Sequence, residues 1–420
     1  MRRAIGALTG IALLLTTAAC SGQQDEGVEA EMKTFPIGLW VSPPANEVTL
    51  ERYEEMREAG ITFVTGFSEW EGGRETMMKS LDYAEATGMK VILRDPQIGE
   101  LADEDLSMIG ELTAPYREHP AYMGHVFYDE PSLTQYDRLA AMKEAYKKDA
   151  PDGLPYVNLF PTYASLDQKG GTYTEYLDQF IQKYKPELIS YDHYPFLTEA
   201  KGGPGAITED YFYNLELIRR ASTEHQLPFW LFIQTLSFNT THRDPTEEEI
   251  RWQVFTSLAY GAKGVQYFTY WTPQSGRETF GSGMIDLQGN RTRHYDEVKR
   301  MNASLQEIGP WLMELQSEGV IHFGNQPPLL EESMQSFGPI ASISGDPAII
   351  GCFTDSEGIQ SVLVVNASFQ QPSSTELKLA GDVKLAEVWN GGPVQSRKIA
   401  GGAVQVELAP GGAMWIAFNG

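Results

Sequence analysis

Residues 245–271 read PTEEEIRWQVFTSLAYGAKGVQYFTYW, and this stretch decides the fold expected for most of the chain. A polar start leads into a helical run over residues 245–260, and glycines then separate it from an apolar run over residues 264–271. Because the second run is apolar on both faces, we expect it to be a buried strand of a parallel sheet that is covered by helices.

The same unit recurs along the chain between residues 35 and 318. We predict strands at residues 35–41, 61–67, 90–94, 124–128, 155–160, 188–192, 228–234 and 264–271. We predict helices at residues 49–59, 76–87, 103–117, 133–148, 173–184, 211–224 and 245–260, with a last one near 297–315. Eight strands that alternate with helices favour a closed (β/α)8 barrel, a TIM barrel, over an open sheet.

The pattern changes after residue 318. Short alternating runs at residues 348–353, 360–366, 374–379, 384–389, 404–408 and 413–418 are separated by Gly and Pro, with no helical period between them. Such spacing is typical of antiparallel strands. We therefore predict that residues 319–420 form a small C-terminal antiparallel β-sandwich behind a barrel domain at residues 35–318.

The first twenty residues have the pattern of a secretory signal, with arginines at positions 2 and 3, an apolar run over residues 4–19 and small residues before Cys20. The segment TAAC at residues 17–20 resembles the lipobox of bacterial lipoproteins, which implies that Cys20 is lipidated. An ordinary signal peptide that is cut nearby is the alternative. We expect a signal peptide at residues 1–20, a polar tether at residues 21–34, and a place in the bacterial cell envelope, at the outer membrane, the cell surface or the periplasm.

Composition excludes several classes of function. The chain of 420 residues carries 32 Lys and Arg against 57 Asp and Glu, a formal charge of −25, so we expect no binding of nucleic acid and no membrane contact except through the N-terminal lipid. Cys352 lies in an apolar run and is expected to be a buried, inert thiol. No Cys and His spacing suits zinc, and we predict neither a metal nor a cofactor.

Carboxylates and aromatic side chains follow the predicted strands at their C-terminal ends, where barrel enzymes have their active sites. Strand four ends in YDEP (128–131), strand six in YDHYP (191–195), and strand eight in TYW (269–271). Rings can stack on the apolar faces of a sugar, and glycosidic cleavage needs a carboxylic acid and a second group on the opposite face of the sugar. A carbohydrate is therefore the expected partner. The oligomeric state is left open.

These motifs resemble those of clan A glycoside hydrolases, most closely glycoside hydrolase family 42, the β-galactosidases. YDEP resembles the Asn-Glu-Pro signature, which implies that Glu130 is the acid/base. YDHYP and residues 250–271 are similar to the family's sixth strand and to its last helix and strand. Asp129 replaces the usual Asn, and because adjacent strand residues point to opposite faces we expect it to act separately from Glu130.

The seventh strand departs from that family. Its pattern places the nucleophilic Glu where this chain has Ile233, followed by Gln234, and neither side chain can attack an anomeric carbon. Three hypotheses follow. In the first, another carboxylate acts as base or nucleophile, with Asp192 preferred over Glu69 and Asp95, and the reaction inverts configuration with a base or retains it with a nucleophile. In the second, the substrate supplies its own nucleophile. In the third, the protein is a non-catalytic glycan-binding lipoprotein on a degenerate glycosidase barrel.

We therefore predict an extracytoplasmic glycosidase in which Glu130 is the general acid and Asp192 the second catalytic carboxylate. The residues predicted to bind substrate are polar or aromatic and stand at or near strand ends: Asp129, Trp40, Glu69, Asp95, Asn158, His193, Tyr194, Gln234, Tyr270 and Trp271.

Overall fold

The computed structural model describes residues 34–331, 333–381, 383–399 and 401–419. The predicted signal peptide, its Cys20 and the tether up to residue 33 lie outside the described residues. Within the described part of the chain, no helix combines the length and the apolar character needed to cross a membrane.

Eight parallel strands close into a barrel in sequence order, each paired with the next and the eighth with the first. This confirms the predicted (β/α)8 architecture. The strands are β1 Ile37–Leu39, β2 Phe63–Thr65, β3 Lys90–Leu93, β4 Tyr122–Asp129, β5 Leu154–Leu159, β6 Ile189–Asp192, β7 Phe229–Gln234 and β8 Gly264–Phe268.

Helices cover the outside of the barrel. They are α1 Leu50–Glu58, α2 Gly73–Ala86, α3 Pro96–Glu100, α4 Ile109–Thr113, α5 Tyr136–Asp149, α6 Leu166–Lys169, α7 Tyr173–Gln179, α8 Glu199–Gly202, α9 Tyr211–His225, α10 Glu247–Ala259 and α11 Arg293–Met313. The helix predicted over residues 103–117 is instead a 3₁₀ segment, Asp103–Met108, followed by the short α4. Pro115 lacks the N–H that would extend α4, which explains why this helix ends early.

The barrel interior is packed by large rings that face small residues. Phe63 on β2 lies 4.9 Å from the Trp230 ring on β7, between centroids. A Cβ atom on Gly38 would come within 2.1 Å of the Phe63 ring, and one on Gly264 within 2.6 Å of Trp230. Glycine at these two positions therefore makes room for the two rings, and the barrel floor is a solid core rather than a channel.

Two antiparallel sheets follow the barrel, which confirms the β-sandwich. One has the strand order β15-β14-β17-β12-β11-β9 and the other β10-β13-β16. Their strands are β9 Gln316–Phe323, β10 Ile340–Gly345, β11 Ala348–Thr354, β12 Gln360–Asn366, β13 Ser373–Leu379, β14 Leu385–Trp389, β15 Gln395–Lys398, β16 Ala403–Leu408 and β17 Ala413–Asn419.

Three of these strands, β9, β10 and β15, had no counterpart in the sequence prediction. Each lies at the edge of its sheet. All four residues of β15 are exposed and polar, so no alternation of apolar residues marks this strand. An edge strand needs fewer apolar side chains than a central one, and its sequence signal is correspondingly weak.

Candidate active site

Asp129 is the last residue of β4 and Glu130 follows it. A local irregularity of the strand directs both side chains toward one cavity. The pairing of β4 with β5 shifts register between Val126 and Tyr128, as at a β-bulge. Glu130 has a φ of 57°, and its N–H donates a 2.8 Å hydrogen bond to Asn158 O on β5. Both acidic side chains line the same cavity, in contrast to the opposite orientations expected of a regular strand.

This cavity has a volume of about 320 Å³ and opens at the C-terminal ends of the strands. Asp192 enters it from β6 and Asn158 from β5. Its walls are largely aromatic: Trp40, Phe160, Tyr163, Tyr194, Phe232, Phe238, Phe268 and Phe280. The cavity is therefore lined by both carboxylates and aromatic rings.

A second cavity, of about 770 Å³, adjoins the first. The two share Trp40, Asp129, Phe268, Glu278 and Phe280, so they form one cleft that passes over the carboxylates. We call the two cavities together the cleft. Its second half carries Trp271 and Arg94, whose guanidinium lies 5.0 Å from the centre of the Phe67 ring.

Burial and mutual repulsion favour the protonated forms of Glu130 and Asp192. Burial raises the pKa of Glu130 well above its usual range, and the charge of Asp192 raises it further. Burial, then the charge of Asp129, also raises the pKa of Asp192, against the effect of its hydrogen bond from Asn158. The shifts bring an acid that keeps its proton near neutral pH to the position predicted for the general acid.

Asp129 is exposed to solvent at the open side of the cleft, while protein groups surround its carboxyl. This desolvation raises the pKa of Asp129, while the Arg94 guanidinium and a hydrogen bond from Asn158 lower it. Asn158 Nδ2 donates to Asp192 Oδ1 at 2.9 Å and to Asp129 Oδ1 at 3.3 Å. The two aspartate oxygens are therefore no farther apart than the sum of these distances, and one amide group serves both.

The structure brings together most of the residues predicted for the site. Glu130, Asp192, Asp129, Asn158, Trp40, Tyr194 and Trp271 all line the cleft. The ring of Tyr194 packs 5.1 Å from Phe268 and 5.2 Å from Phe238, between centroids. Aromatic contacts of this kind hold the rings in fixed positions along the wall.

Three other predicted residues lie near strand ends but outside the cleft lining. Glu69 is buried, and its Oε2 accepts hydrogen bonds from Ser42 Oγ at 2.5 Å and from Phe67 N at 2.9 Å. Asp95 caps α3 by accepting a 3.0 Å bond from Gln97 N. These acids organise the loops after β2 and β3. Gln234 is fully buried, with its amide donating to Leu236 O and Arg243 O.

His193 and Tyr270 are also held by structural partners. His193 is fully buried between Asn214 Oδ1, at 2.9 Å from Nδ1, and Thr208 Oγ1, at 2.7 Å from Nε2. The hydroxyl of Tyr270 donates a 2.8 Å bond to Glu55 Oε2 on α1. Neither side chain lines the cleft.

Of the cleft carboxylates that the sequence did not predict (Glu47, Glu71 and Glu278), Glu278 is the one that lines both cavities. It lies on the loop between β8 and α11, where nothing in a polar, glycine-containing stretch distinguishes it. It lines both cavities, and its charge raises the pKa of Glu130 and of Asp192. Its Oε1 accepts a 3.3 Å bond from Asn239 Nδ2 on the loop after β7.

The two loops that carry Asn239 and Glu278 are joined by backbone pairing. Asn239 N donates to Thr279 O at 2.7 Å, and Gly281 N donates to Ser237 O at 2.7 Å. Phe238 and Phe280 form an antiparallel bridge between them, and both rings line the first cavity. Pairing between the loops thus builds one wall of the cleft.

β7 itself contributes Phe232 to the cavity. Ile233 is fully buried, and the strand sequence FWLFIQ contains no acid. The carboxylates of the cleft come from the ends of β4 and β6 and from the loops, and Glu130, Asp192 and Asp129 lie together at its centre.

Comparison with known proteins supports a glycosidase-like barrel. The family model of glycoside hydrolase family 42, described as β-galactosidase, matches residues 135–308. The matched segment includes Asn158, Asp192 and Glu278 and begins shortly after Glu130. The resemblance to family 42 inferred from strands six and eight is confirmed over these residues.

Solved structures with similar folds are glycosidase barrels. A β-galactosidase from the psychrophilic Marinomonas ef1 aligns with a TM-score of 0.52 and 13% identity, over 68% of this chain and 62% of that enzyme's length. A glycoside hydrolase family 5 protein from Bacteroides vulgatus aligns with a TM-score of 0.56 and 12% identity, over 92% and 89% of the two chains.

A family 27 β-L-arabinopyranosidase from Geobacillus stearothermophilus gives a TM-score of 0.56 and 11% identity, over 92% of this chain and 97% of that one. Identities this low show the fold alone. The comparison with curated proteins finds no match. The chain has a glycosidase-like barrel, and its chemistry must be argued from its own residues.

Proposed function

We propose that this protein is an extracytoplasmic glycoside hydrolase that cleaves glycosidic bonds of an oligo- or polysaccharide. The extracytoplasmic location rests on the signal pattern of residues 1–20. The observation that carries the activity is the group at the centre of the cleft: Glu130, favoured in its protonated form, beside Asp192 and Asp129 and among aromatic walls.

In this proposal Glu130 gives its proton to the glycosidic oxygen as the bond from that oxygen to the anomeric carbon breaks. Asp192 takes a proton from a water molecule, whose oxygen forms the new bond to the anomeric carbon from the opposite face. One proton leaves Glu130 and one reaches Asp192, so the pair is reset by a proton exchange with solvent. This is the inverting route to hydrolysis.

The charges of the cleft restrict the substrate class. The charged side chains that line its two cavities are six acids and one base: Glu47, Glu71, Asp129, Glu130, Asp192, Glu278 and Arg94. Carboxylate- or sulfate-bearing glycans would meet repulsion along most of this surface. We therefore propose neutral or amino-sugar glycans as substrates.

The test is a hydrolysis screen of the purified protein against aryl glycosides and plant, algal and host glycans, with Glu130→Gln and Asp192→Asn beside the wild type. Product anomers are followed by NMR. Glu69→Gln is the matched control, because Glu69 is a buried carboxylate near a strand end that does not line the cleft.

Loss of turnover in Glu130→Gln and Asp192→Asn by about 10²-fold or more, with an inverted product and retained turnover in Glu69→Gln, is expected. A product with retained anomeric configuration would indicate that Asp192 acts as a nucleophile and not as a base. Equal activity in all four proteins would exclude the assignment.

A second function has one observation in its favour. The pKa values of Glu130, Asp192 and Asp129 are all raised, which weakens the case for a ready base at neutral pH. A glycan-binding protein without turnover would need no base. Glycan binding that survives in Glu130→Gln, with no hydrolysis by the wild type, would establish this alternative.

A further inference from the structure

A chain of buried polar side chains crosses the barrel interior and ends on Asn158. Thr65 Oγ1 on β2 donates to Gln266 Oε1 on β8 at 3.0 Å, and Gln266 Nε2 donates to the Tyr156 hydroxyl on β5 at 2.6 Å. The Tyr156 hydroxyl lies 2.6 Å from Ser190 Oγ on β6, which donates to Asn158 Oδ1 at 3.1 Å. We call Thr65, Gln266, Tyr156 and Ser190 the interior chain.

Every member of the interior chain is at most 1% exposed, so each hydrogen has to find its partner inside the protein. An amide nitrogen only donates, so the Tyr156 oxygen accepts from Gln266 and its single hydrogen goes to Ser190. Ser190 Oγ then accepts from Tyr156 and has its own hydrogen free for Asn158. With the Gln266 amide placed so that its nitrogen faces Tyr156, each later bond in the chain therefore has one direction.

This direction fixes the orientation of the Asn158 amide. Its Oδ1 receives the Ser190 hydrogen, so its Nδ2 faces the opposite way, toward Asp192 and Asp129. An N–H pair stabilises an acceptor and is best matched by an ionised carboxylate. Turning the amide over would place its oxygen against two acids and its nitrogen against the Ser190 hydrogen.

Glu130 lacks an equivalent donor among the contacts of the described residues. Its backbone N–H is bonded to Asn158 O, while the groups that act on its side chain are desolvation and the charges of Asp192, Asp129 and Glu278. Burial and repulsion act on both carboxyl groups, but only Asp192 also accepts an oriented hydrogen bond from Asn158.

We propose that Tyr156 and Ser190 are positioning residues that hold Asn158 with its N–H groups toward the aspartates, so that the proton shared by the catalytic pair resides on Glu130 and Asp192 stays ionised. The inference rests on the proposed function for its catalytic meaning, but the proton placement itself does not depend on turnover. Neither residue lines the cleft, and each acts through Asn158.

The experiment is a pH titration of the aspartate side-chain carboxyl carbons by ¹³C NMR in the full-length protein, with the Asp192 signal identified by its loss in Asp192→Asn. Wild type is compared with Ser190→Ala and Tyr156→Phe. Tyr267→Phe is the matched control, since it also removes one buried tyrosine hydroxyl of the barrel, which donates to Asn302 Oδ1 at 2.7 Å and has no link to Asn158.

Ser190→Ala is expected to raise the pKa of Asp192 by about one pH unit, as the loss of one oriented hydrogen bond to a charged group implies. Tyr156→Phe is expected to raise it less, because Ser190 keeps its hydroxyl, and Tyr267→Phe is expected to leave it unchanged. An unchanged pKa of Asp192 in both test variants, or an equal change in Tyr267→Phe, would overturn the positioning role.

The outcome separates this inference from the proposed function. If no glycan is cleaved but the titration moves as expected, the positioning role holds and the hydrolase proposal fails. If hydrolysis depends on Glu130 and Asp192 while the titration does not move, the hydrolase proposal holds and the interior chain is merely structural. Where turnover is measurable, the acidic limb of the kcat/KM profile should move to higher pH in Ser190→Ala, because the pKa of the base rises.

Discussion

Tyr270 and Trp271 are adjacent in sequence, yet they face opposite surroundings. The hydroxyl of fully buried Tyr270 donates to Glu55 on α1, whereas the ring of Trp271 lines the second half of the cleft beneath the Arg52 guanidinium, 5.1 Å from the ring centre. The end of β8 thus ties the barrel to its helix layer with one residue and forms the cleft surface with the next.

This division predicts two distinct phenotypes. Trp271→Ala should weaken glycan binding, raising KM or Kd about 10-fold through the loss of a ring surface, with a small effect on kcat. Tyr270→Phe should leave KM unchanged and lower the stability by about 1 kcal/mol, because Glu55 loses a buried donor. Steady-state kinetics and thermal unfolding of both variants check this. An unaltered KM in Trp271→Ala would contradict the role of the second half of the cleft.

The raised pKa of Asp192 predicts how stability depends on pH. Burial and the charge of Asp129 raise this pKa, so the native protein binds a proton that the unfolded chain releases near pH 4, and stability falls as pH rises through the raised value. Asp192→Asn cannot titrate. Its stability relative to wild type should therefore increase from pH 4 to pH 8, by about 1 to 3 kcal/mol, as measured by denaturant unfolding.

Asp286 serves as a control, because its lowered pKa should make stability depend on pH with the opposite sign. Backbone and side-chain hydrogen bonds from Asn290 lower the pKa of this exposed carboxyl. The stabilisation is present above the ordinary pKa and is lost as pH falls, so Asp286→Asn should be destabilising at pH 7 and less so at pH 3. A pH-independent difference for Asp192→Asn would count against a raised pKa of Asp192.

Glu278 is expected to tune the pH range of activity from the loop after β8. Its charge raises the pKa of both Glu130 and Asp192, so Glu278→Gln should lower both and move both limbs of the kcat/KM profile to lower pH, by a few tenths of a pH unit. Gln keeps an oxygen to accept the bond from Asn239. The displacement should shrink at high salt, which screens an exposed charge. Opposite movement of the two limbs would exclude a purely electrostatic role.

Gly351 on β11 tests the contact between sandwich and barrel. A Cβ atom there would lie 2.2 Å from the backbone oxygen of Ala259 at the end of α10. Gly351→Ala should therefore destabilise the protein by about 1 to 3 kcal/mol through overpacking. Gly276→Ala, where nothing lies within 4 Å of the added atom, should leave the unfolding midpoint near that of wild type. Equal midpoints for both variants would show that the sheet moves away at little cost.

The barrel could be predicted because the pattern of an apolar strand followed by a helix recurs along the sequence and depends little on tertiary contacts. Runs such as FWLFIQ are apolar on both faces, and several of the helices that follow them begin at a polar cap, as α10 does at Thr246. The edge strand Gln395–Lys398 was not predictable, since its residues are all exposed and only its pairing with β14 holds it in place.

The site could be predicted only for residues that lie at the ends of strands. Glu130 and Asp192 follow directly from β4 and β6, but the side-chain direction at Asp129 depends on a register shift that no local pattern reveals. Glu69 and His193 stand at strand ends too, and only the packing of neighbouring loops turns them away from the cleft. Glu278 is brought to the cleft by the pairing of two loops, a tertiary event without a sequence signature.

The position of α10 has a consequence for how such a chain can change. Ten of the 13 residues of this helix are buried, with Phe255 against Trp389 and Trp252 against Phe369 of the sandwich. Truncation of the chain after α11 would expose these rings to water, and an exposed apolar surface of this kind promotes aggregation. The C-terminal sheets are therefore not a detachable module, and a different sandwich could replace them only if it offered a matching surface to α10.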